Sequence, residues 1–238
     1  MKSLQVVTPH LECIFNCPFC IAKGHKHNNT FKNNYELDFN TWKNSLIKTI
    51  NDNTDLKYVV ITGTNEPMQS KDCVKDIVDI VKKTRQDIQI EIQTHYYKQD
   101  DIYNDIDVVA YSISDVRLLD KIKPMGKIQR YVLIMTDSYN GYTLNQILGL
   151  IPSSVKQVTF KKLIDTNGVN KEVDKYISAH SIDSNTLDKL ITDVNNYKGN
   201  LSIRMDLDCM DCEGRYKIFR EDGNLYSNWE ELWYNTKS

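Results

Sequence analysis

Proline and glycine are scarce in this sequence, 5 and 9 residues out of 238. That excludes a linker-rich or low-complexity chain. Long apolar runs are missing: none approaches the roughly 18 residues a membrane-spanning helix needs, so no span is expected. An excess of either charge is missing too. Against 30 Lys and Arg stand 32 Asp and Glu, a formal charge of -2. This balance argues against a general polyanion binder, and nucleic acid is not indicated, although a local basic patch stays open. The first residues, Met1 to Pro9, carry neither an apolar stretch nor a small-residue cleavage site, so they do not read as a secretory signal. The expectation is a cytoplasmic protein whose cysteines stay reduced. What is present is ordinary for a soluble globular chain: 40% hydrophobic and 26% charged residues. At roughly 150 residues per domain, the length fits one large domain or at most two small ones.

Six cysteines would suit three disulfides, but their placement does not. Cys13, Cys17 and Cys20 fall within eight residues, Cys209 and Cys212 lie together near the end, and Cys73 stands alone. Tight clusters in a reducing compartment point to metal ligation or redox chemistry.

Short β-branched runs recur along the chain at Leu4–Thr8, Tyr58–Thr62, Ile88–Thr94, Val108–Ser114, Tyr131–Thr136 and Val155–Lys161. Several are nearly continuous in Val and Ile, as in strands buried on both faces. Helical stripes separate them. Trp42, Leu46, Ile47 and Ile50 form one, with Asp38 or Asn40 as its cap. Val74, Ile77, Val78 and Val81 form a second, with Ser70 as N-cap. Shorter helices are expected at Val116–Ile122 and Thr143–Leu150, and a longer one at Ser184–Tyr197, ended by Gly199 and Asn200. The rhythm is β-α about six times over. It predicts an α/β fold, a partial (β/α)6 barrel of parallel strands, with functional loops at the carboxyl ends of the strands. A core is expected over 1–200 and an extension of the same domain over 201–238. Leu201–Leu207 could add a strand, and Tyr216–Phe219 and Leu225–Tyr226 flank Asp222-Gly223-Asn224, a hairpin signal.

The first strand leads into Cys13-Ile-Phe-Asn-Cys17-Pro-Phe-Cys20, with spacing C-x3-C-x2-C. Three thiolates this close can ligate three irons of a cubane that normally takes four protein ligands. A site that keeps one position open can bind substrate there. Zinc is the plainer alternative, with Cys13, Cys17, Cys20 and either His25 or His27 as ligands.

Spacing and position together resemble the radical S-adenosylmethionine superfamily, whose signature C-x3-C-x-(aromatic)-C follows the first strand of a six-fold partial β/α barrel. Phe19 fills the aromatic position. The resemblance covers roughly residues 1–165. It implies a [4Fe-4S] cluster on Cys13, Cys17 and Cys20, with S-adenosylmethionine chelated by the remaining iron. Reductive cleavage then gives a 5′-deoxyadenosyl radical, which abstracts hydrogen from a substrate. A reductant such as flavodoxin or ferredoxin is implied as well.

Further positions are read through the same resemblance. Thr62-Gly63-Thr64-Asn65-Glu66-Pro67 resembles the family's Gly-Gly-Glu-Pro segment with a shifted register, which implies that Gly63, Thr64, Asn65 and Glu66 hold the methionyl amino group. Taken alone, the segment is an ordinary turn before a helix. At the third strand's end, Thr94 corresponds to a family Thr, and His95 is a candidate substrate ligand or proton donor. On the fourth strand Ser112 and Ser114 share a face and would meet the ribose and carboxylate. Asp115 reads equally well as a helix cap. Met135, Phe160, Lys161 and Lys162 are candidates for the adenine or substrate side. Lys23 to His27 reads as a solvated loop able to meet an anionic substrate or electron donor. Cys209 and Cys212 are candidate hydrogen-atom donors, or a pair completing a zinc site with Asp208 or Asp211, or two ordinary thiols. Cys73 reads as structural.

The leading expectation is a radical S-adenosylmethionine enzyme acting on a small molecule or a peptide. The alternatives are an activase that leaves a radical on a protein partner and a non-catalytic zinc or iron-sulfur module.

Overall fold

The computed structural model describes residues 1–8, 13–20, 38–207, 216–220, 222–227 and 229. Nine strands form one open sheet: β1 (Ser3–Val7), β2 (Tyr58–Thr62), β3 (Gln89–Thr94), β4 (Val108–Ile113), β5 (Ile128–Met135), β6 (Gln157–Lys162), β7 (Ser202–Asp206), β8 (Tyr216–Phe219) and β9 (Leu225–Tyr226). Their order is β7-β6-β5-β4-β3-β2-β1-β8-β9. Every pairing is parallel except β8 with β9. The six strands read from the sequence are therefore the six central ones, in sequential order, as expected for a partial barrel.

The register sorts the two faces sharply. On the helix side lie Leu4 and Val6, Val59 and Ile61, Ile90 and Ile92, Val109 to Ile113 in alternation, Tyr131 to Met135 in alternation, Val158 and Phe160, all buried in one apolar cluster. The opposite face carries Gln5, Thr62, Glu91, Gln93, Ser112, Arg130, Gln157, Thr159 and Lys161. The strands look continuous in sequence because aliphatic residues interrupt that polar face at Val60, Val108 and Val132. The hollow of the half-barrel therefore mixes polar and aliphatic side chains.

Glu91 is 8% exposed and is held by Arg130, whose Nη1 donates to both carboxylate oxygens at 2.8 and 2.7 Å. The guanidinium reaches over β4 past the small side chain of Ala110, and its Nε donates to Gln157 at 2.7 Å. Burial pushes the Glu91 carboxyl up, with the Arg130 charge pulling it back. Removing one partner of such a pair leaves a desolvated charge alone. Arg130→Met is expected to cost about 3–5 kcal/mol, and pairing it with Glu91→Leu to recover most of that. Denaturant midpoints of the single and double variants check this. An additive double loss would disprove the pairing.

Among the described residues there are five helices; four pack on the apolar face, and the fourth in chain order packs in a separate cluster with Leu163 and Phe19. α1 (Phe39–Asp52) buries Trp42, Leu46 and Ile50 as expected, with Ile47 half-buried. Asp38 is its N-cap residue but makes no side-chain cap bond. α2 (Lys71–Thr84) follows a 3-10 turn at Pro67–Ser70 and buries Val74, Ile77, Val78, Ile80 and Val81. α3 (Leu144–Leu150) starts on a capping box between Thr143 and Gln146. α4 (Lys171–His180) was not expected, because only Val173 and Ile177 mark its buried side. α5 (Ser184–Asn196) starts at Asp183. The helix expected at Val116–Ile122 is a 3-10 turn, Val116–Leu118, capped by Asp115.

The expected C-terminal hairpin is present: Ile218 pairs with Tyr226 and Phe219 with Leu225 across Gly223, whose φ of 74° suits glycine. Instead of forming a separate appendage, it continues the sheet, β8 lying parallel to β1. Trp42 Nε1 donates to the Arg220 carbonyl at 3.0 Å and Ser45 Oγ to that of Gly223 at 2.8 Å, which ties α1 to the hairpin. Among the described residues no helix is long and apolar enough to cross a membrane.

Candidate functional site

A cavity of about 280 Å³ opens at the carboxyl ends of the central strands. Its lining draws Thr62, Gln93, Ser112, Ile134 and Lys161 from five successive strands of the polar face, together with the cysteine loop and the turn after β2. Cys13, Cys17, Cys20, Phe15 and Phe19 all line it.

The three cysteines are half-buried, and none is in a disulfide. The Cys20 N–H donates to the Cys17 carbonyl at 3.2 Å, a tight turn through Pro18 and Phe19. The Ile14 N–H donates to Gln69 Oε1 at 2.9 Å, which anchors the loop to the 3-10 turn after β2. Phe19 packs on the cluster of Leu163, Val173 and Ile177, as Ile134 does, and lies 6.3 Å from the Tyr176 ring. The unexpected helix α4 is therefore the support under the cysteine loop. Among the described residues no group of three His, Cys, Asp or Glu side chains is gathered into a metal-holding arrangement. The donor chemistry nevertheless fits an iron-sulfur cluster: three thiols share one cavity on one short loop.

The turn after β2 closes against β1. The Thr8 N–H donates to the Thr62 carbonyl at 2.9 Å, and Thr8 Oγ1 donates to Asn65 Oδ1 at 3.1 Å. Gly63 sits where these meet. A Cβ there would lie 2.7 Å from Asn65 Oδ1 and 2.8 Å from Thr8 Oγ1. Close approach, rather than backbone angle, demands the glycine. Gly63→Ala is expected to break the Thr8–Asn65 bond and cost about 1–3 kcal/mol, read as a lowered Tm. An unchanged melt would show that the turn relaxes freely.

Glu66 is 4% exposed. Its Oε1 accepts from Thr94 Oγ1 at 2.5 Å and from the Met68 N–H at 3.0 Å, and its Oε2 accepts from the His95 N–H at 2.8 Å. Burial pushes this carboxyl up, and the three donors pull it back. A carboxylate has about four acceptor positions, so three internal bonds leave room for one more donor. Glu66 thus clamps the end of β3 as well as facing the cavity.

His95 lines the cavity, its ring 6.0 Å from Phe15 and 6.2 Å from Tyr97. Burial lowers its pKa to about 4, so the imidazole is neutral at neutral pH. That removes the imidazolium form a ready proton donor would need. Tyr97 donates its hydroxyl proton to the Ser112 carbonyl at 2.5 Å.

Of the expected site residues, Cys13, Cys17, Phe19, Cys20, Gly63, Thr64, Asn65, Glu66, His95 and Ser112 share the cavity, as do Lys161 and Lys162. Ser114 is not among the lining residues, and its carbonyl accepts from Thr136 and Ser138. Met135 and Phe160 are fully buried on the helix side of the sheet, so neither reaches the cavity. Asp115 takes the capping role, accepting from the Arg117 N–H at 2.9 Å. Cys73 packs against the core from α2, burial pushing its thiol up to about 12. Cys209, Cys212 and Lys23 to His27 lie outside the described residues. Sequence reasoning missed Phe15, Gln93 and Ile134. Alternation along β3 and β5 places the last two; nothing in the spacing marks Phe15.

A scan against protein-family profiles finds no match, and a sequence search of curated proteins finds none. Solved structures do match. SuiB of Streptococcus suis bound to precursor peptide SuiA superposes with a TM-score of 0.63 at 14% identity, over 99% of this chain and 61% of that one. SuiB bound to S-adenosylmethionine gives 0.62 at 15% identity, over 99% and 62%. Native anSMEcpe with bound AdoMet gives 0.60 at 12% identity, over 100% and 76%. The chain spans about three fifths of the length of SuiB. At these identities the likeness is one of fold.

Proposed function

We propose that this chain, which shares the fold of radical S-adenosylmethionine enzymes, is itself such an enzyme. The carrying observation is the meeting in one cavity of the C-x3-C-x2-C loop and the Gly63–Glu66 turn, at the carboxyl ends of parallel strands. Cys13, Cys17 and Cys20 would hold a [4Fe-4S] cluster. When bound, that group supplies the electron that cleaves S-adenosylmethionine to a 5′-deoxyadenosyl radical, which takes hydrogen from the substrate.

The chain's own residues bind and orient. Glu66 offers its remaining acceptor position to the methionyl amino group, a charge-assisted contact. Gly63, Thr64 and Asn65 bring backbone close to the same end. Ser112 presents a hydroxyl from β4, and Phe15 and Phe19 exclude water from the cysteine loop. Cys209 and Cys212 are candidate hydrogen-atom donors to the substrate radical. Residues 201–238 are taken as an extension of the same domain, consistent with β7 and β8 joining the sheet. A flavodoxin or ferredoxin is the proposed reductant, in the cytoplasm. Of the two substrate classes, a peptide is favoured, since SuiB was captured with its precursor peptide.

Anaerobic reconstitution with iron and sulfide should give brown protein with about four irons per chain, and added dithionite should release 5′-deoxyadenosine from S-adenosylmethionine. A colourless protein with stoichiometric zinc would overturn the reading in favour of a zinc module.

A further inference from the structure

Several described residues carry a buried side-chain atom with no hydrogen-bond partner, and His95, through its Nε2, is the one of them that lines the cavity. Its orientation is determined from several sides. The backbone N–H is held by Glu66 Oε2, and the ring lies between Phe15 and Tyr97. Tyr97 is in turn tied to the Ser112 carbonyl. A buried imidazole nitrogen left unpaired costs about 1–3 kcal/mol, and a ligand that pairs with it removes that cost. A neutral imidazole has one ring nitrogen able to accept, the tautomer deciding which.

The position says which part of a ligand it would meet. The His95 backbone N–H bonds Glu66 Oε2 and both residues line the cavity, so a group held by the Glu66 carboxylate has His95 as a neighbouring residue. An amino group carries more than one N–H donor, and Glu66 has room for only one. We infer that His95 Nε2 accepts a hydrogen bond from the methionyl amino group of bound S-adenosylmethionine, sharing it with Glu66. This inference rests on the proposed function, which brings S-adenosylmethionine to the cavity. His95 is then a cofactor-positioning residue rather than a proton donor.

The test is anaerobic calorimetry on cluster-reconstituted protein with two probes, S-adenosylmethionine and 5′-methylthioadenosine, which lacks the amino-acid end. His95→Phe keeps a ring but no nitrogen. His95→Asn keeps polarity at the reach of Nδ1, and His95→Gln carries an amide to the reach of Nε2. The Phe and Asn variants should bind S-adenosylmethionine about tenfold more weakly, with 5′-methylthioadenosine affinity unchanged, and Gln should restore most of the loss. Iron counts and melting curves show whether each variant is intact; where Phe fails to fold, Asn against Gln decides. Asn binding S-adenosylmethionine as tightly as the parent, or equal weakening toward both probes, overturns the inference. Parent protein that holds four irons but does not bind S-adenosylmethionine overturns the proposed function instead.

Discussion

Cys17→Ala will leave the protein unable to assemble a cluster or to form 5′-deoxyadenosine, while the fold survives. Cys17 is the middle thiol of the loop, and Cys13 and Cys20 line the same cavity on either side of it. Two remaining thiolates cannot secure a cubane that already binds with one protein ligand fewer than usual. The side chain is half-buried at the cavity wall and belongs to none of the apolar clusters, so stability has little to lose. Iron and sulfide after reconstitution should fall to background, product formation should vanish, and the circular dichroism melt should stay near that of the parent. Normal iron content and turnover would refute the ligand assignment. A parent protein that holds zinc through the same cysteines would lose metal too, which is why iron and product must be measured together.

Glu66→Ala should weaken S-adenosylmethionine binding by roughly ten- to a hundredfold, the scale of a hydrogen bond to a charged group at about 1.5–3 kcal/mol. Cluster assembly should persist, because the bonds Glu66 accepts come from Met68, Thr94 and His95 and not from the cysteine loop. The structure adds a second expectation. Glu66 accepts from Met68 N–H, Thr94 Oγ1 and His95 N–H, so alanine also removes the cap of the 3-10 turn at Pro67–Ser70 and strands donors at the end of β3. A cap is worth about 1 kcal/mol, and the lost β3 contacts add to it, so Tm should fall measurably. Glu66→Gln separates the effects. One carbonyl oxygen can still accept from Thr94 and Met68, but the new amide faces the His95 N–H, donor against donor. Gln should therefore recover stability in part and affinity poorly. Full affinity in both variants would remove Glu66 from the binding site and leave it a structural clamp.

Much of this was legible from the residues in order. The strand runs were placed within a few residues, because Val- and Ile-rich segments alternating with helical stripes admit few arrangements other than a parallel sheet. The short helix at Thr143–Leu150 and the hairpin at Asp222-Gly223-Asn224 were both marked in the residues. Helix α4 was not legible. Its amphipathic signal is two aliphatic residues among Lys, Glu, Asp and His, and it folds because Leu163, Ile134 and Phe19 offer it a surface from elsewhere in the chain. Met135 and Phe160 were placed on the wrong side, since their strand ends do not announce which face is the cavity's.

The sequence by itself determined the chemistry available: three cysteines at cluster spacing directly after a strand, a glycine-and-glutamate turn after the next, and a parallel α/β scaffold to hold them. These are local patterns, written in spacing and periodicity. Only the tertiary structure decided what those residues touch. It placed polar side chains among aliphatic ones in the hollow of the half-barrel, with Arg130 spanning β4 to reach Glu91. It set β8 beside β1 from the far end of the chain, engaged two of the Glu66 acceptor positions in clamping the end of β3 and a third in capping the turn at Pro67–Ser70, and left the His95 Nε2 buried without a partner in the cavity wall. Such features depend on register between distant strands, where one residue of slip would turn each side chain to the opposite face.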